Sequence, residues 1–237
     1  ERYLAANEAL RSLCRHEAVP VADGRIFTAH TADDRVESFY MRSIVGTGPG
    51  GFRAMRYRNG PVVRPLLDAS RDDLRAYLVE RERAGEPVAV DAEGALWRED
   101  ATNAHTDRFR AYVRHEIVPR AKERNPQLLD VLGRTMNLIA DEDETLRCQA
   151  DSIAYRTLTW DGDVASVPIE ALNSLDRPMA RRVLRAYLLV VNPDARLEAG
   201  QIDRVLDGLE DEGFTTETSG GLRVSTSGDA LVIRKAQ

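Results

Sequence analysis

Apolar and polar positions along the first half of the chain follow the pattern of an α/β protein. A β-prone run at 25–29 precedes a helical pattern at 33–45, and a second run at 62–67 precedes a helical pattern at 70–83. Strands that alternate with helices favour a parallel sheet. Since an average sheet has about five strands, two strands predict either a small, unusual fold or a chain that begins inside a domain.

Two of the predicted helices carry sequence signals for their starts. Thr31 and Asp34 have the spacing of a capping box, and Ser70 and Asp73 repeat it. Gly46 is placed to end the first of these helices. The pattern therefore predicts where the helix that follows the strand at 25–29 begins.

The second half of the chain has a different organisation. A long helical pattern runs from Asn125 to about residue 158, with its apolar positions suited to packing on one side, as in a connector. Two shorter helices and three short strands follow. We predict three parts: residues 1–124, a helical connector at 125–160, and a small α+β domain at 161–237.

Composition excludes several classes of protein. Of 237 residues, 43% are hydrophobic and 30% are charged, as in soluble globular proteins. No apolar run approaches the roughly 20 residues of a membrane span, and the N-terminus does not resemble a signal peptide. The two cysteines, Cys14 and Cys148, form no motif, which excludes a cysteine zinc site and fits a cytoplasmic location.

The densest group of polar side chains lies where the first strand passes into a helix. His30 follows the strand, and Asp34 and Glu37 lie three residues apart on one helix face. Open α/β sheets bind ligands at the carboxyl ends of their strands. The two acids could hold Mg²⁺ or an ammonium group and His30 could contact phosphate; the alternative is a capped helix whose acids favour its dipole.

Arginines form two further candidate sites. Arg110 and Arg114 lie on one helical face, where two guanidinium groups could clamp a phosphate. The alternative is a solvated face whose arginines pair with neighbouring acids on the same segment. Arg177, Arg181 and Arg185 recur every fourth residue, a stripe that suits an RNA backbone or simply solubility. Net charge is −6, so no strongly basic nucleic-acid binder is signalled globally.

Six segments, in order along the chain, resemble motifs of the tRNA(Ile)-lysidine synthetases, members of the N-type ATP pyrophosphatase (PP-loop) group. The match covers nearly the whole chain. The family motifs and the matching segments are His-x-x-Asp-Asp-x-x-Glu-Thr at 30–38 with Ser38 for the usual Thr, the glycine-rich segment at 42–55, Arg-Pro-Leu-Leu at 64–67, Trp-x-x-Asp-x-Ser/Thr-Asn at 97–103, Arg-x-x-x-Arg at 110–114, and the C-terminal segments around 181–188 and 220–224.

The resemblance implies an adenine-nucleotide-hydrolase-like domain and a two-step reaction that uses ATP and Mg²⁺. The C2 carbonyl of the wobble cytidine in tRNA(Ile) with a CAU anticodon is adenylated, which releases pyrophosphate. The amino group of L-lysine then attacks C2, which releases AMP and leaves lysidine. A homodimer is compatible with the sequence, which does not fix the oligomeric state.

Roles are carried over by motif. His30 would contact the nucleotide phosphates. Asp34 would bind Mg²⁺ or the lysine ammonium group, and Glu37 would help to hold lysine. Arg110 or Arg114 would clamp phosphate or the activated base. These residues are the expected catalytic and ATP-binding group.

Four further residues are expected to contact substrate. Asp100 and Asn103 would shape the loop that carries them, and the alternative is that they cap the helix that follows. Arg181 and Arg185 would meet the tRNA. All four assignments follow from the resemblance.

Two departures from the family pattern change the expectation. The pyrophosphate-binding motif Ser-Gly-Gly-x-Asp-Ser does not occur in this sequence, and the stretch 84–95 is longer than usual. The chain is therefore expected to be inactive by itself. The alternatives are a related PP-loop tRNA thiolase, which the unpaired cysteines disfavour, and a non-catalytic tRNA-binding module.

Overall fold

The computed structural model describes residues 2–98 and 108–236. The chain divides into two compact units, Glu1–Ala140 and Asp141–Gln237. The division between them falls inside one long helix, whereas the sequence suggests a three-part division at 124 and 160. That three-part division stays a prediction.

The first unit contains a small mixed sheet. Its helices and strands are α1 (Arg2–His16), β1 (Ile26–Phe27), α2 (Ala32–Val45), β2 (Arg58–Asn59), β3 (Val62–Val63), α3 (Arg71–Arg83), α4 (Phe109–Tyr112), a π-helical turn (Val113–Ile117) and α5 (Val118–Arg124). The sheet order is β1-β3-β2, with β1 parallel to β3 and β2 antiparallel to it. The predicted α/β class is confirmed, although β3 stops well short of residue 67 because Pro65 lacks a backbone donor.

Both predicted capping boxes are present. Thr31 donates its backbone N–H to Asp34 Oδ2 at 2.8 Å at the start of α2, and Ser70 does the same to Asp73 at 2.9 Å at the start of α3. Gly46 ends α2 with a φ of 91°, a conformation that glycine adopts without strain. The starts of α2 and α3 are thereby fixed by local chemistry.

The helical segment that carries Arg110 and Arg114 is modified by the proline near its end, Pro119. The helical segment within the described residues begins at Phe109 and widens into the π-helical turn before Pro119. Proline has no N–H to offer the fourth carbonyl before it and its ring crowds that carbonyl. A wider turn accommodates this, and π-turns recur at functional sites.

The second unit is a five-stranded antiparallel sheet with helices packed on it. It begins within α6 (Leu128–Thr157), the long helix predicted from Asn125, and continues with β4 (Thr159–Asp161), β5 (Val164–Pro168), α7 (Glu170–Asn173), α8 (Arg177–Val191), α9 (Ala199–Asp207), β6 (Thr215–Thr218), β7 (Leu222–Ser227) and β8 (Ala230–Lys235). The strand order is β4-β5-β8-β7-β6. The β4–β5 hairpin was not predicted; its turn contains Gly162 at a φ of 58°.

Each unit has its own hydrophobic core. In the first unit, Val36 and Val113 are fully buried beside Met136. In the second, Leu184 and Tyr187 of α8 are fully buried in a larger core. No helix in the described residues combines the length and apolar character that a bilayer crossing requires.

Candidate functional site

Glu37 is the centre of a cluster of ion pairs in the first unit. Its side chain is 1% exposed. Arg110 Nε donates to Oε2 at 2.8 Å, and Arg114 Nε donates to Oε1 at 2.6 Å. Arg71 Nη2 donates to Oε1 at 2.9 Å. A buried carboxylate is costly unless it is paired, and here three guanidinium groups pair with it.

Asp34 caps α2 and also belongs to the ion-pair cluster. Its Oδ2 accepts the backbone N–H of Thr31 at 2.8 Å and caps α2. Its Oδ1 accepts from Arg71 Nη2 and from Arg110 Nη2, each at 2.9 Å. The helix cap therefore fixes the orientation of a carboxylate that also belongs to the cluster.

Four elements of the first unit supply the cluster: α2, α3, α4 and the π-helical turn. Asp34 and Glu37 lie on the first two turns of α2, Arg110 lies in α4, and Arg114 lies in the π-helical turn. The structure thus brings together four of the predicted site residues. Arg110 and Arg114 both pair with Glu37, more than 70 positions away in the sequence, whereas the alternative had them pair with acids of their own segment.

Arg71 is the member of the cluster that sequence reasoning missed. It is the first residue of α3, and its backbone N–H donates to Asp33 Oδ2 at 2.8 Å. A cation at a helix N-terminus is disfavoured by the helix dipole unless a carboxylate compensates. That anomaly, four positions after the Arg-Pro-Leu-Leu segment ends, is the signal in the sequence that could have identified Arg71.

The electrostatics of the cluster favour the ionised form of Glu37, and the cluster has one more guanidinium group than carboxylates. Burial alone would raise the pKa of Glu37, but hydrogen bonds from Arg114, Arg110 and Arg71 outweigh burial and lower its pKa to about 2. For Arg71, burial is likewise outweighed by Glu37, so its pKa is raised. Three guanidinium groups around two carboxylates suit an added anion such as a phosphate.

A Mg²⁺ ion at Asp34 does not fit this arrangement. Both carboxylate oxygens accept hydrogen bonds, and Oδ1 contacts two guanidinium groups that would repel a cation. The described parts of the chain also contain no cluster of three His, Cys, Asp or Glu side chains that could hold a metal ion.

The other predicted site residues make different contacts or lie outside the described residues. His30 contacts Thr28, with 3.0 Å between Nδ1 and Oγ1. Asp100 and Asn103 lie outside the described residues. In the second unit, Arg181 Nε donates to Asp203 at 2.7 Å and Arg185 Nη1 donates to the Leu197 carbonyl at 2.9 Å. The substrate roles of these residues stay predictions.

A second buried network is centred on Arg35 of α2, the residue after Asp34. The side chain of Arg35 is 2% exposed; it donates to Asn137 Oδ1 at 2.7 Å and to the Tyr57 hydroxyl at 3.2 Å. Its guanidinium carbon lies 5.3 Å from the centre of the Tyr57 ring, and Asp68 accepts from the Tyr57 hydroxyl at 2.5 Å. This network ties α2 to the first half of α6.

Comparison with known proteins defines the class. Residues 6–121, just under half of the chain, match the PP-loop domain. The matched range contains every member of the ion-pair cluster.

Within that class, the chain is similar to several tRNA(Ile)-lysidine synthases. It is 29% identical to the protein of Solibacter usitatus over 186 residues, which is 77% of this chain and 40% of the relative. It is 34% identical to the protein of Thermus thermophilus over 196 residues, 81% of this chain and 35% of the relative. The aligned part of this chain thus spans about two fifths of the relatives' length.

Proposed function

We propose that the chain is part of an enzyme that ligates L-lysine to C2 of the wobble cytidine of tRNA(Ile), with ATP cleaved to AMP and pyrophosphate. The observation that carries the proposal is the cluster of Asp34, Glu37, Arg110 and Arg114, which combines the acids that an amino-acid substrate needs with the cations that a phosphate needs. The similarity to tRNA(Ile)-lysidine synthases supports it. Because the proposed substrate is a tRNA, we expect the enzyme to act in the cytoplasm.

The reaction requires two nucleophilic substitution steps, one at phosphorus and one at C2. The C2 oxygen of cytidine attacks the α-phosphate of ATP, and the phosphoanhydride bond to pyrophosphate breaks. The lysine amino group then attacks C2, its proton leaves, and the bond to AMP breaks. Mg²⁺, bound through the phosphates, would offset their charge. The protein's part is to place an amine and an activated carbonyl together and to stabilise the anionic leaving groups.

In this proposal the substrates enter the cluster by replacing partners of its existing ion pairs. The Arg110 side chain is 42% exposed, against 31% for Arg71 and 20% for Arg114, so Arg110 is the guanidinium group that can leave most easily. When Arg110 turns to a substrate phosphate, Asp34 and Glu37 each lose one donor. The ammonium group of lysine replaces it, and the charge on the carboxylates stays balanced.

The thiolase alternative has no support in the described structure. Cys14 is buried in the first unit and Cys148 is exposed in the second. Such enzymes use paired cysteines near the site, and neither cysteine has a cysteine partner in sequence.

The decisive experiment measures ATP-dependent incorporation of radiolabelled lysine into a tRNA(Ile) transcript, with lysidine identified by mass spectrometry of the nucleosides. Two proteins are compared: this chain, and this chain fused behind a segment that carries the family's Ser-Gly-Gly-x-Asp-Ser loop. We expect incorporation by the fusion and none by the chain alone. Turnover by the chain alone would contradict the requirement for that loop.

Matched variants connect the activity to the cluster. In the fusion, Glu37→Gln is expected to reduce incorporation by at least 100-fold, because it removes a charged contact to lysine. Glu116→Gln is the control, since Glu116 is 43% exposed and pairs only with its neighbour Arg120 among the described residues. Equal activity of the two variants would refute the assignment of Glu37. A fusion that binds RNA but does not incorporate lysine would favour the alternative of a non-catalytic tRNA-binding module.

A further inference from the structure

Asp33 connects the helices that supply the ion-pair cluster, and the proposed chemistry gives it no role. It lies beside Asp34 in the first turn of α2, and its side chain is 13% exposed. Its Oδ2 accepts the backbone N–H of Arg71, the first residue of α3, at 2.8 Å. Its Oδ1 accepts from Lys122 Nζ of α5 at 3.1 Å. A nearly buried carboxylate thus uses each of its oxygen atoms to contact a different helix.

These two contacts join the helical segments that contribute to the cluster. The helix α2 carries both acids, α3 begins with Arg71, and α5 directly continues the helical segment that carries Arg110 and Arg114. Within the described residues, the Asp33 carboxylate makes no other hydrogen bond or ion pair, and neither does the Lys122 ammonium group. Asp33 is therefore connected to the cluster from outside, through the backbone of one member and through the helical segment of two others.

Arg71 is held at two points by neighbouring acids. Asp33 accepts its backbone N–H, while its Nη2 donates to Asp34 Oδ1 and to Glu37 Oε1, each at 2.9 Å. Ordering a long arginine side chain costs conformational entropy, and an anchored backbone limits the positions that its guanidinium group can reach. The Asp33 carboxylate also places a negative charge at the start of α3, where the helix dipole disfavours a cation. Both effects stabilise Arg71 in the position from which it bridges the two acids.

This bridge matters most when Arg110 is exchanged for a substrate ammonium group. Arg110 and Arg71 both donate to Asp34 Oδ1 at 2.9 Å, so after Arg110 leaves, Arg71 still links that oxygen atom to Glu37. Two carboxylates without a cation between them repel each other. An Arg71 that followed Arg110 to a phosphate would leave the two acids without the spacing that an ammonium group requires.

We propose that Asp33 is a positioning residue for the lysine-binding acids, because it keeps Arg71 between them while Arg110 is exchanged. The inference rests on the proposed function for the identity of the substrate. Asp33 does not contact the substrate itself, and Lys122 offsets its charge. If Asp33 only stabilised the fold, its contribution to stability would not depend on the negative charge of Glu37.

The first test is a double-variant cycle in the 237-residue chain, with Asp33→Asn and Glu37→Gln alone and together. Urea unfolding is followed by the fluorescence of Trp97 in a Trp160→Phe background, which reports on the first unit. We expect Asp33→Asn to lower the unfolding midpoint by about 0.5 M urea when Glu37 is present, and by less than half as much in the Glu37→Gln background. In that background Arg71 has lost a charged acceptor, so holding it in place contributes less.

The sign of this coupling separates the proposal from direct electrostatics. Asp33 and Glu37 carry the same charge, so direct repulsion would make the loss of Asp33 less costly when Glu37 is present. A link through Arg71 makes the loss more costly. Additive effects of the two substitutions, or a coupling of the opposite sign, would overturn the inference.

Asp91→Asn is the matched control for this cycle. The Asp91 side chain is 16% exposed, accepts the backbone N–H of Ala95 at 2.9 Å and pairs with Arg98 at 3.4 Å. It combines a backbone contact and a cation, as Asp33 does, and these contacts do not involve a member of the cluster. Its effect on the midpoint should be the same with and without Glu37. Equal coupling of Asp91 and Asp33 to Glu37 would show a general effect of destabilisation and contradict the proposal.

The second test does not require the Glu37 variant to fold, because it measures lysine incorporation by the fusion that carries the pyrophosphate loop. Asp33→Asn is expected to raise KM for lysine about tenfold and to change KM for ATP by less than about twofold, whereas a loss of folded protein would lower kcat alone. Lys122→Met should also raise KM for lysine, and Lys122→Arg, which keeps the charge, should restore it.

An unchanged KM for lysine in Asp33→Asn would contradict the role of Asp33 while leaving the proposed function in place. A fusion without any lysine incorporation would instead refute the proposed function, and the double-variant cycle would then decide whether Asp33 positions Arg71.

Discussion

Glu37 gives the clearest prediction for a single residue, because its pKa is lowered from 4.5 to about 2 in the folded chain. A lowered folded-state pKa stabilises the protein above the unfolded pKa, and this stabilisation is lost as pH falls from about 4.5 toward 2. The shift corresponds to about 3 kcal/mol at pH 7. Glu37→Gln is therefore expected to lower the free energy of unfolding at pH 7 by about 3 to 5 kcal/mol, since it also leaves buried cations unpaired.

The pH dependence distinguishes this charge effect from a packing defect. In urea unfolding, the difference between the unmodified chain and Glu37→Gln should shrink by about 1.4 kcal/mol between pH 7 and pH 3.5. The exposed Glu116→Gln should differ little from the unmodified chain at either pH. A Glu37→Gln penalty that stays constant with pH would show that ionisation of Glu37 is not its cause.

The helices that carry the site could largely be predicted from the sequence. The ion pairs between side chains of different helices could not. The capping box of Thr31 and Asp34 depends on residues three apart, so local spacing was enough to predict where α2 begins. Glu37 and Arg114 are 77 positions apart, and only the packing of the first unit brings them together. Arg71 was missed for the same reason, because its partners lie on another helix.

The helix cap itself is testable at the scale of the element. Thr31 is 5% exposed; its hydroxyl lies 3.1 Å from Asp34 Oδ2 and 3.5 Å from the Asp34 backbone nitrogen. Thr31→Ala is expected to reduce the free energy of unfolding by about 1 kcal/mol, measured by urea denaturation. Thr31→Ser keeps the hydroxyl and should recover most of that loss. A serine variant as unstable as the alanine variant would show that the methyl group, not the cap, is what matters.

At the scale of the whole molecule, the two separate cores predict two unfolding transitions. The chain provides a reporter for each, because Trp97 lies in the first unit and Trp160 in the second. Leu184 is fully buried in the second core, so Leu184→Ala is expected to destabilise that unit by about 3 kcal/mol. Urea unfolding of Trp97→Phe and Trp160→Phe backgrounds measures the units separately. The Trp160 transition should move to lower urea while the Trp97 transition stays in place; a joint shift of both would show one cooperative unit.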